Sequence, residues 1–263
     1  MPDQYLINRF RGARSDPSLV VLEGFHPLKH ALRFGAEVEA AVGFDSEAVL
    51  GLGSKLAPDI LGLLEQHLVP VPKDDFEQLA PVPPATGVIA LARRPAIAAN
   101  DILANAILMN GKVKAAAPVV LLERPRSPFN IGAAIRVAAA AGAAGVLTTG
   151  IQDPWHPSAV VTGVGLQFAL PVARSETLPD FDQTGGQTLV VFDPNGEPLR
   201  PGEIPTNSVL AFGNERNGAS PELLAAADYR ISIPMMPGVS SLNLATAVAV
   251  VMYSWKMGQQ ADK

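Results

Sequence analysis

PVVLLERPRSPFNIGAAIRVAAAAGAAGVLTT, residues 118–149, runs from an unbroken apolar segment through a proline-bounded turn into an alanine-rich helical stretch and out to a second apolar segment. Short apolar runs without polar alternation are apolar on both faces, and such strands separated by helices form parallel sheets covered on both sides. The stretch therefore reads as β-α-β and predicts an α/β fold. The pattern continues downstream with a helix near 157–168, LPV at 170–172, and TLVVFD, SVLAFG and YRISIP at 188–193, 208–213 and 229–234. A long helix is predicted over about 242–257.

Upstream, strands are predicted at 19–25, 38–44, 68–72 and 87–93, and helices at 26–36, 57–66 and 74–79. Prolines at 81–84 and Pro95 punctuate the end of this region. Residues 1–97 thus read as a small α/β domain and 117–263 as a second, larger one. Between them, 98–116 reads as a linker helix with Asn100 as cap and Asn110-Gly111 as stop.

The 263 residues carry a net charge of −5 and no cysteine, a globular composition without disulfides or thiolate metal sites, which suits a cytoplasmic address. The start has no apolar core of a signal peptide, and the longest apolar run, about 244–253, is too short to span a bilayer. An acidic balance argues against diffuse attachment to nucleic acid, so an RNA partner would need local basic patches. Arg9, Arg11 and Arg14 are the candidate patch, although a solvated N-terminal tail is the commoner meaning of such a run.

Three blocks place polar residues where an apolar segment meets a turn: NIGAAIR at 130–136, LAFGNERNG at 210–218 and IPMMPGVSSLN at 233–243. In open α/β sheets, sites form from loops at strand ends. Asn130 suits a helix cap and Gly142 a helix stop. Arg136, flanked along its face by Gly132 and Ala140, has room for a bulky anion, although an ion pair is the commoner role of such an arginine. In the second block Gly213 permits close backbone approach, Glu215, Asn217 and Gly218 follow in the turn, and Ser220-Pro221 opens a helix. In the third, Ser240 or Ser241 reads as a cap with Asn243 just inside the helix.

Other signals are weaker. Gly163-Val-Gly165 lacks the third glycine of a dinucleotide fingerprint, and among histidines 26, 30, 67 and 156 only the His26/His30 pair, one helical turn apart, has metal-ligand spacing, without a third ligand nearby. No Walker loop or GxSxG elbow appears. No metal is expected.

In order and wording the three blocks resemble the signature motifs of the SpoU/TrmH family of RNA 2′-O-ribose methyltransferases, of the SPOUT class: N-x-G-x-x-x-R, G-x-E-x-x-G, then I-P-M followed by S-L-N. EGFHPLKHAL at 23–32 and TGVIALARRP at 86–95 resemble segments of the small substrate-binding domain of many members. The resemblance implies an L30e-like α/β RNA-binding domain followed by a SPOUT domain with a deep trefoil knot, a topology that periodicity cannot predict. It implies S-adenosylmethionine (AdoMet) held through the backbone by Gly213, Ile233 and Leu242, with Phe212, Gly218, Met235 and Ser241 beside them. It implies Arg136 as the principal catalytic group, supported by Asn130, Glu215 and Asn243, and ribosomal or transfer RNA as the substrate. Members are homodimers, and Val248, Met252 and Trp255 on the C-terminal helix are candidates for that interface. A Ser-Ala-Gly segment usual in the family is replaced here by GVGLQFALPV at 163–172. Two other classes remain: a catalytically silent RNA-binding protein of the same fold, disfavoured by intact Arg136, Glu215, Ser241 and Asn243, and a nucleotide-cofactor oxidoreductase.

Overall fold

The computed structural model describes residues 4–104, 108–109, 112–113, 117–181, 186–200 and 202–261. They form two compact units, one running to Ala96 and including Trp155–Ala169, the other formed by Ile97–Pro154 and the chain from Leu170.

In the first unit the order is α1 (Gln4–Ala13), β1 (Leu19–Glu23), α2 (Phe25–Arg33), β2 (Val38–Gly43), α3 (Ser46–Leu56), α4 (Leu61–His67), β3 (Leu68–Pro70), α5 (Lys73–Phe76) and β4 (Val88–Arg93). The sheet order is β1-β4-β2-β3, with β4 antiparallel to both neighbours and β3 parallel to β2. Ile7, Phe10, Phe76, Leu79, Ile89 and Leu91 form one buried cluster. Each such side chain contributes about 1.5–3 kcal/mol by leaving water.

Two helices here were not legible in the sequence. The polar start folds as α1 because Ile7, Phe10 and Ala13 share one buried face. The arginines of this run are partly neutralised: Arg9 in α1 pairs with Glu39 at 2.7 Å, and Arg14 just after it pairs with Glu23 at 2.5 Å, so this is not a solvated tail. The other, α3, begins where Asp45 accepts the Ala48 N–H at 2.9 Å.

Within Trp155–Ala169, α8 (Pro157–Thr162) is followed by a 3₁₀ turn at Leu166–Phe168, and Trp155 meets Phe168 edge to face. His30 on α2 hydrogen-bonds the Val164 carbonyl at 2.6 Å. Gly165 has φ +75°, and a Cβ there would lie 2.5 Å from the Pro27 carbonyl oxygen, so the approach to α2 requires glycine.

The second unit contains α6 (Ala99–Leu103), β5 (Leu108–Met109), β6 (Lys112–Val113), β7 (Val119–Leu122), α7 (Pro128–Ala141), β8 (Gly145–Thr149), β9 (Val172–Ser175), β10 (Thr188–Pro198), β11 (Ser208–Phe212), α9 (Pro221–Ala226), β12 (Tyr229–Ser232) and α10 (Leu244–Ala261). The linker helix is a correction: it forms only as α6, and β5 and β6 pair antiparallel within the stretch expected to be helical. A short apolar run does not discriminate helix from strand, and Asn-Gly signals a hairpin as strongly as a helix stop. Asn110-Gly111 itself lies outside the described residues.

The six-stranded sheet has the order β12-β10-β11-β7-β8-β9, every pair parallel. Strands β7, β8 and β11 are buried at every position, as their unbroken apolar runs require. Helix α10 packs on α7 and turns Val248, Met252 and Trp255 inward, so these three residues are core of their own chain. No helix among the described residues is long and apolar enough to cross a membrane.

Candidate functional site

Parallel pairing brings the carboxyl ends of β12, β10, β11 and β7 side by side, and the loops leaving them carry the three blocks. After β7, Ser127 caps α7 by accepting the Asn130 N–H at 3.4 Å. The cap is therefore not Asn130, which sits in the first helical turn with its side-chain amide left for other partners. Before α10, the cap is likewise not a serine. Asn243 Oδ1 accepts the N–H groups of Ala245 and Thr246, at 2.9 and 3.4 Å.

That cap orients the Asn243 amide, because its oxygen is occupied by helix donors and its Nδ2 must turn the other way. Nδ2 donates to Asn130 Oδ1 at 2.9 Å, and Asn130 Nδ2 donates to Glu215 Oε1 at 2.9 Å. Glu215 also accepts the backbone N–H groups of Arg126, at 2.8 Å, and Ser127, at 3.4 Å. Partial burial raises the Glu215 pKa, but the Asn130 amide and the backbone donors outweigh it and hold the carboxyl below its ordinary range. One residue from each block thus joins a single polar chain.

Around Glu215, Asn214 and Gly218 exchange backbone hydrogen bonds of 3.0 and 2.9 Å, closing the turn. Gly213 is indispensable to it, since a Cβ there would lie 2.0 Å from the Ala219 nitrogen. Beside the turn is a cavity of about 450 Å³ lined by Phe212, Gly213, Glu215, Gly218, Ile233, Met235, Ser241 and Leu242, among others. The seven residues expected to hold a cofactor therefore face one space, of a size that small-molecule sites have. Arg136 stands apart from both the cavity lining and the polar chain. It is exposed on α7, and among the described residues no carboxylate pairs with it.

Sequence reasoning missed one wall of the cavity. Phe192, Asp193, Pro194 and Asn195 line it because β10 bulges: Phe192 and Glu197 both register with Ile231, and the four residues between them loop out. A Cβ at Gly196 would lie 2.5 Å from the Arg230 carbonyl oxygen. Asp193 accepts from Arg230 at 3.1 Å, and the Phe192 and Phe212 rings stack with centroids 4.8 Å apart. The signal was present, since Asp-Pro-Asn-Gly after an apolar run is turn chemistry.

Residues 117–253 match the model of the SpoU rRNA methylase family. A 23S rRNA (adenosine(1067)-2′-O)-methyltransferase of Streptomyces laurentii is 28% identical over 258 residues, 95% of this chain and 90% of that one. Among solved structures, the SpoU methyltransferase AviRb of Streptomyces viridochromogenes superposes with a TM-score of 0.74 at 26% identity, covering 97% of this chain and 99% of that one. The same enzyme in complex with AdoMet gives a TM-score of 0.73 at 24% identity, with 98% and 97% covered.

Proposed function

The chain belongs to the SpoU rRNA methylase family, and we propose that it transfers the methyl group of AdoMet to a ribose 2′-hydroxyl of ribosomal RNA. The observation that carries this reading is the cavity where the backbone segments around Gly213, Ile233 and Leu242 meet beside the Asn243–Asn130–Glu215 chain. Its lining is compatible with AdoMet: Phe192, Phe212, Ile233, Met235 and Leu242 offer apolar surface, and the backbone around Gly213 and Gly218 offers polar groups.

Bound AdoMet would supply a sulfonium methyl carbon, which the ribose 2′-oxygen would take in one displacement: C–O forms, C–S breaks to leave the neutral thioether, and the hydroxyl proton passes to solvent water. The chain's own task is alignment and charge. Gly213 and Gly218 shape the turn along the cavity. Asn243, Asn130 and Glu215 lock the loops after β12, β7 and β11 to one another, which fixes the cavity walls. Arg136 carries a permanent charge that holds the phosphate beside the target ribose and favours the developing alkoxide; as a guanidinium it is not a base.

The same reading makes residues 1–97 an L30e-like RNA-binding domain, 98–116 a linker and 117–263 a catalytic domain whose C-terminal segment is knotted. It is supported by the mixed four-stranded sheet of the first unit and by the insertion of β11 between β10 and β7 in the second. A homodimer is part of this reading, supported by the exposed stripe Val250, Tyr253 and Met257 on α10, and so is a cytoplasmic address.

Incubation with methyl-labelled AdoMet and 23S rRNA transcripts, then nuclease digestion and mass spectrometry, is expected to yield one 2′-O-methylnucleoside. A methylated base, or equal methylation of DNA of the same sequence, overturns the reading. Arg136→Ala is expected to abolish transfer and leave AdoMet affinity by calorimetry within about twofold, because it removes a charge that acts on the transition state.

A further inference from the structure

We propose that Arg124, Arg126 and Arg216 form a phosphate-binding rim beside the cavity, which holds the RNA backbone flanking the target ribose. The inference rests on the RNA-methylating reading above and says which charges carry the substrate.

With a net charge of −5, attraction for a polyanion must be local. In the first unit the arginines are largely spent on carboxylates: Arg9 and Arg93 on Glu39, Arg14 on Glu23, and Arg33 on Asp59 at 2.6 Å. In the second unit Arg200 and Arg230 pair with Glu203 and Asp193, but the arginines around the 213–218 turn do not follow suit. Arg124, Arg126 and Arg216 are exposed, and among the described residues none of them pairs with a carboxylate.

An exposed arginine is ordinarily just solvated. These three differ because each backbone is fastened to the loop that carries Asn214 and Glu215. Arg126 donates its N–H to the Glu215 carboxylate at 2.8 Å, and Arg216 donates its N–H to Asn214 Oδ1 at 2.8 Å. Arg124 accepts Asn214 Nδ2 at its carbonyl, at 3.3 Å, and donates its own N–H to Thr149 Oγ1 at 3.0 Å. It does so at φ +44°, a left-handed conformation that costs a residue with a side chain about 1–3 kcal/mol. Gly150 leaves room for it, since a Cβ there would lie 3.2 Å from Arg124 Cγ.

Three guanidinium groups are thus mounted on one loop system at the carboxyl edge of the sheet, with Arg216 itself lining the cavity. Guanidinium donors match phosphate oxygens two at a time. Rigid mounting lowers the cost of ordering them when a backbone binds.

The test measures affinity for a structured 23S rRNA transcript across a salt series, with AdoMet affinity by calorimetry as the control for folding. The triple variant Arg124→Gln, Arg126→Gln, Arg216→Gln is expected to flatten the log K against log salt slope by about two to three and to weaken RNA binding at least ~10-fold at 0.1 M salt. The double variant Arg124→Gln, Arg126→Gln, which leaves the cavity lining intact, should keep AdoMet affinity within about twofold. Three Arg→Lys changes should restore most of the slope, because counterion release counts charges. The rim is overturned if the Gln variant keeps the wild-type slope, and equally if Arg11→Gln with Lys55→Gln in the first unit removes it instead. Wild-type protein that binds AdoMet but no RNA overturns the methyltransferase reading together with the rim.

Discussion

Asn243 does two jobs with one amide, and substitution separates them. Its oxygen caps α10 and its nitrogen reaches Asn130. Asn243→Asp keeps a capping oxygen and adds a charge that suits a helix N-terminus, but it cannot donate to Asn130. The expected outcome is an unchanged or higher melting temperature with methyl transfer lowered about 10-fold, the size of one lost neutral hydrogen bond. Asn243→Ala loses both contacts and should in addition cost about 1 kcal/mol of stability. Glu215 adds a pH dependence. Its folded pKa lies below the ordinary glutamate value of about 4.3, so its stabilising contribution is fully present above that value and is lost as pH falls through the folded pKa. Glu215→Gln should flatten this acid limb in melting curves taken across pH. At this scale the sequence singled out Asn243 beyond ordinary capping, read Asn130 as a cap, and misassigned both caps. Neighbouring serines and asparagines compete for a cap on nearly equal terms, and geometry decides between them.

Among the elements, the 213–218 turn and the 155–169 segment depend on backbone approaches that only glycine allows. Gly213→Ala drives a methyl into the Ala219 backbone. It should weaken AdoMet binding at least ~10-fold by calorimetry, since a displaced turn costs on the order of 1–3 kcal/mol. The His30 contact with Val164 makes a second pH-sensitive element. Burial lowers the His30 pKa, with nearby Lys29, Arg33 and His26 acting in the same direction, against the raising effect of the Val164 carbonyl. The unfolded chain therefore takes up the proton first, and stability declines as pH drops from about 6.5 towards the lower folded value. His30→Gln should remove that part of the melting-temperature decline measured by circular dichroism. Strands with longer apolar runs were legible, unlike β5 and β6, whereas α1 was hidden because three apolar residues at Ile7, Phe10 and Ala13 are too few to mark a helix among arginines.

For the molecule as a whole, the proposed homodimer can be tested on the exposed face of α10. Tyr253→Glu at the centre of that stripe should shift the protein to monomer in sedimentation experiments, and unchanged dimer would place the interface elsewhere. Melting temperature should rise on adding AdoMet, because a ligand that binds only the folded state stabilises it in proportion to the logarithm of its concentration. The sequence by itself determined the α/β class, the parallel character of the second sheet and the three blocks. Apolar runs, breakers and motif order are local properties that act over a few residues. Only the tertiary structure decided that Asn130 would meet Glu215 and Asn243, 85 and 113 residues away in sequence. It alone looped Asp193–Gly196 out of β10 to wall the cavity, paired Arg9 and Arg14 with carboxylates, and left Arg124, Arg126 and Arg216 without one among the described residues. These outcomes depend on which strand ends become neighbours in the sheet, and that order is set by the packing of the whole core.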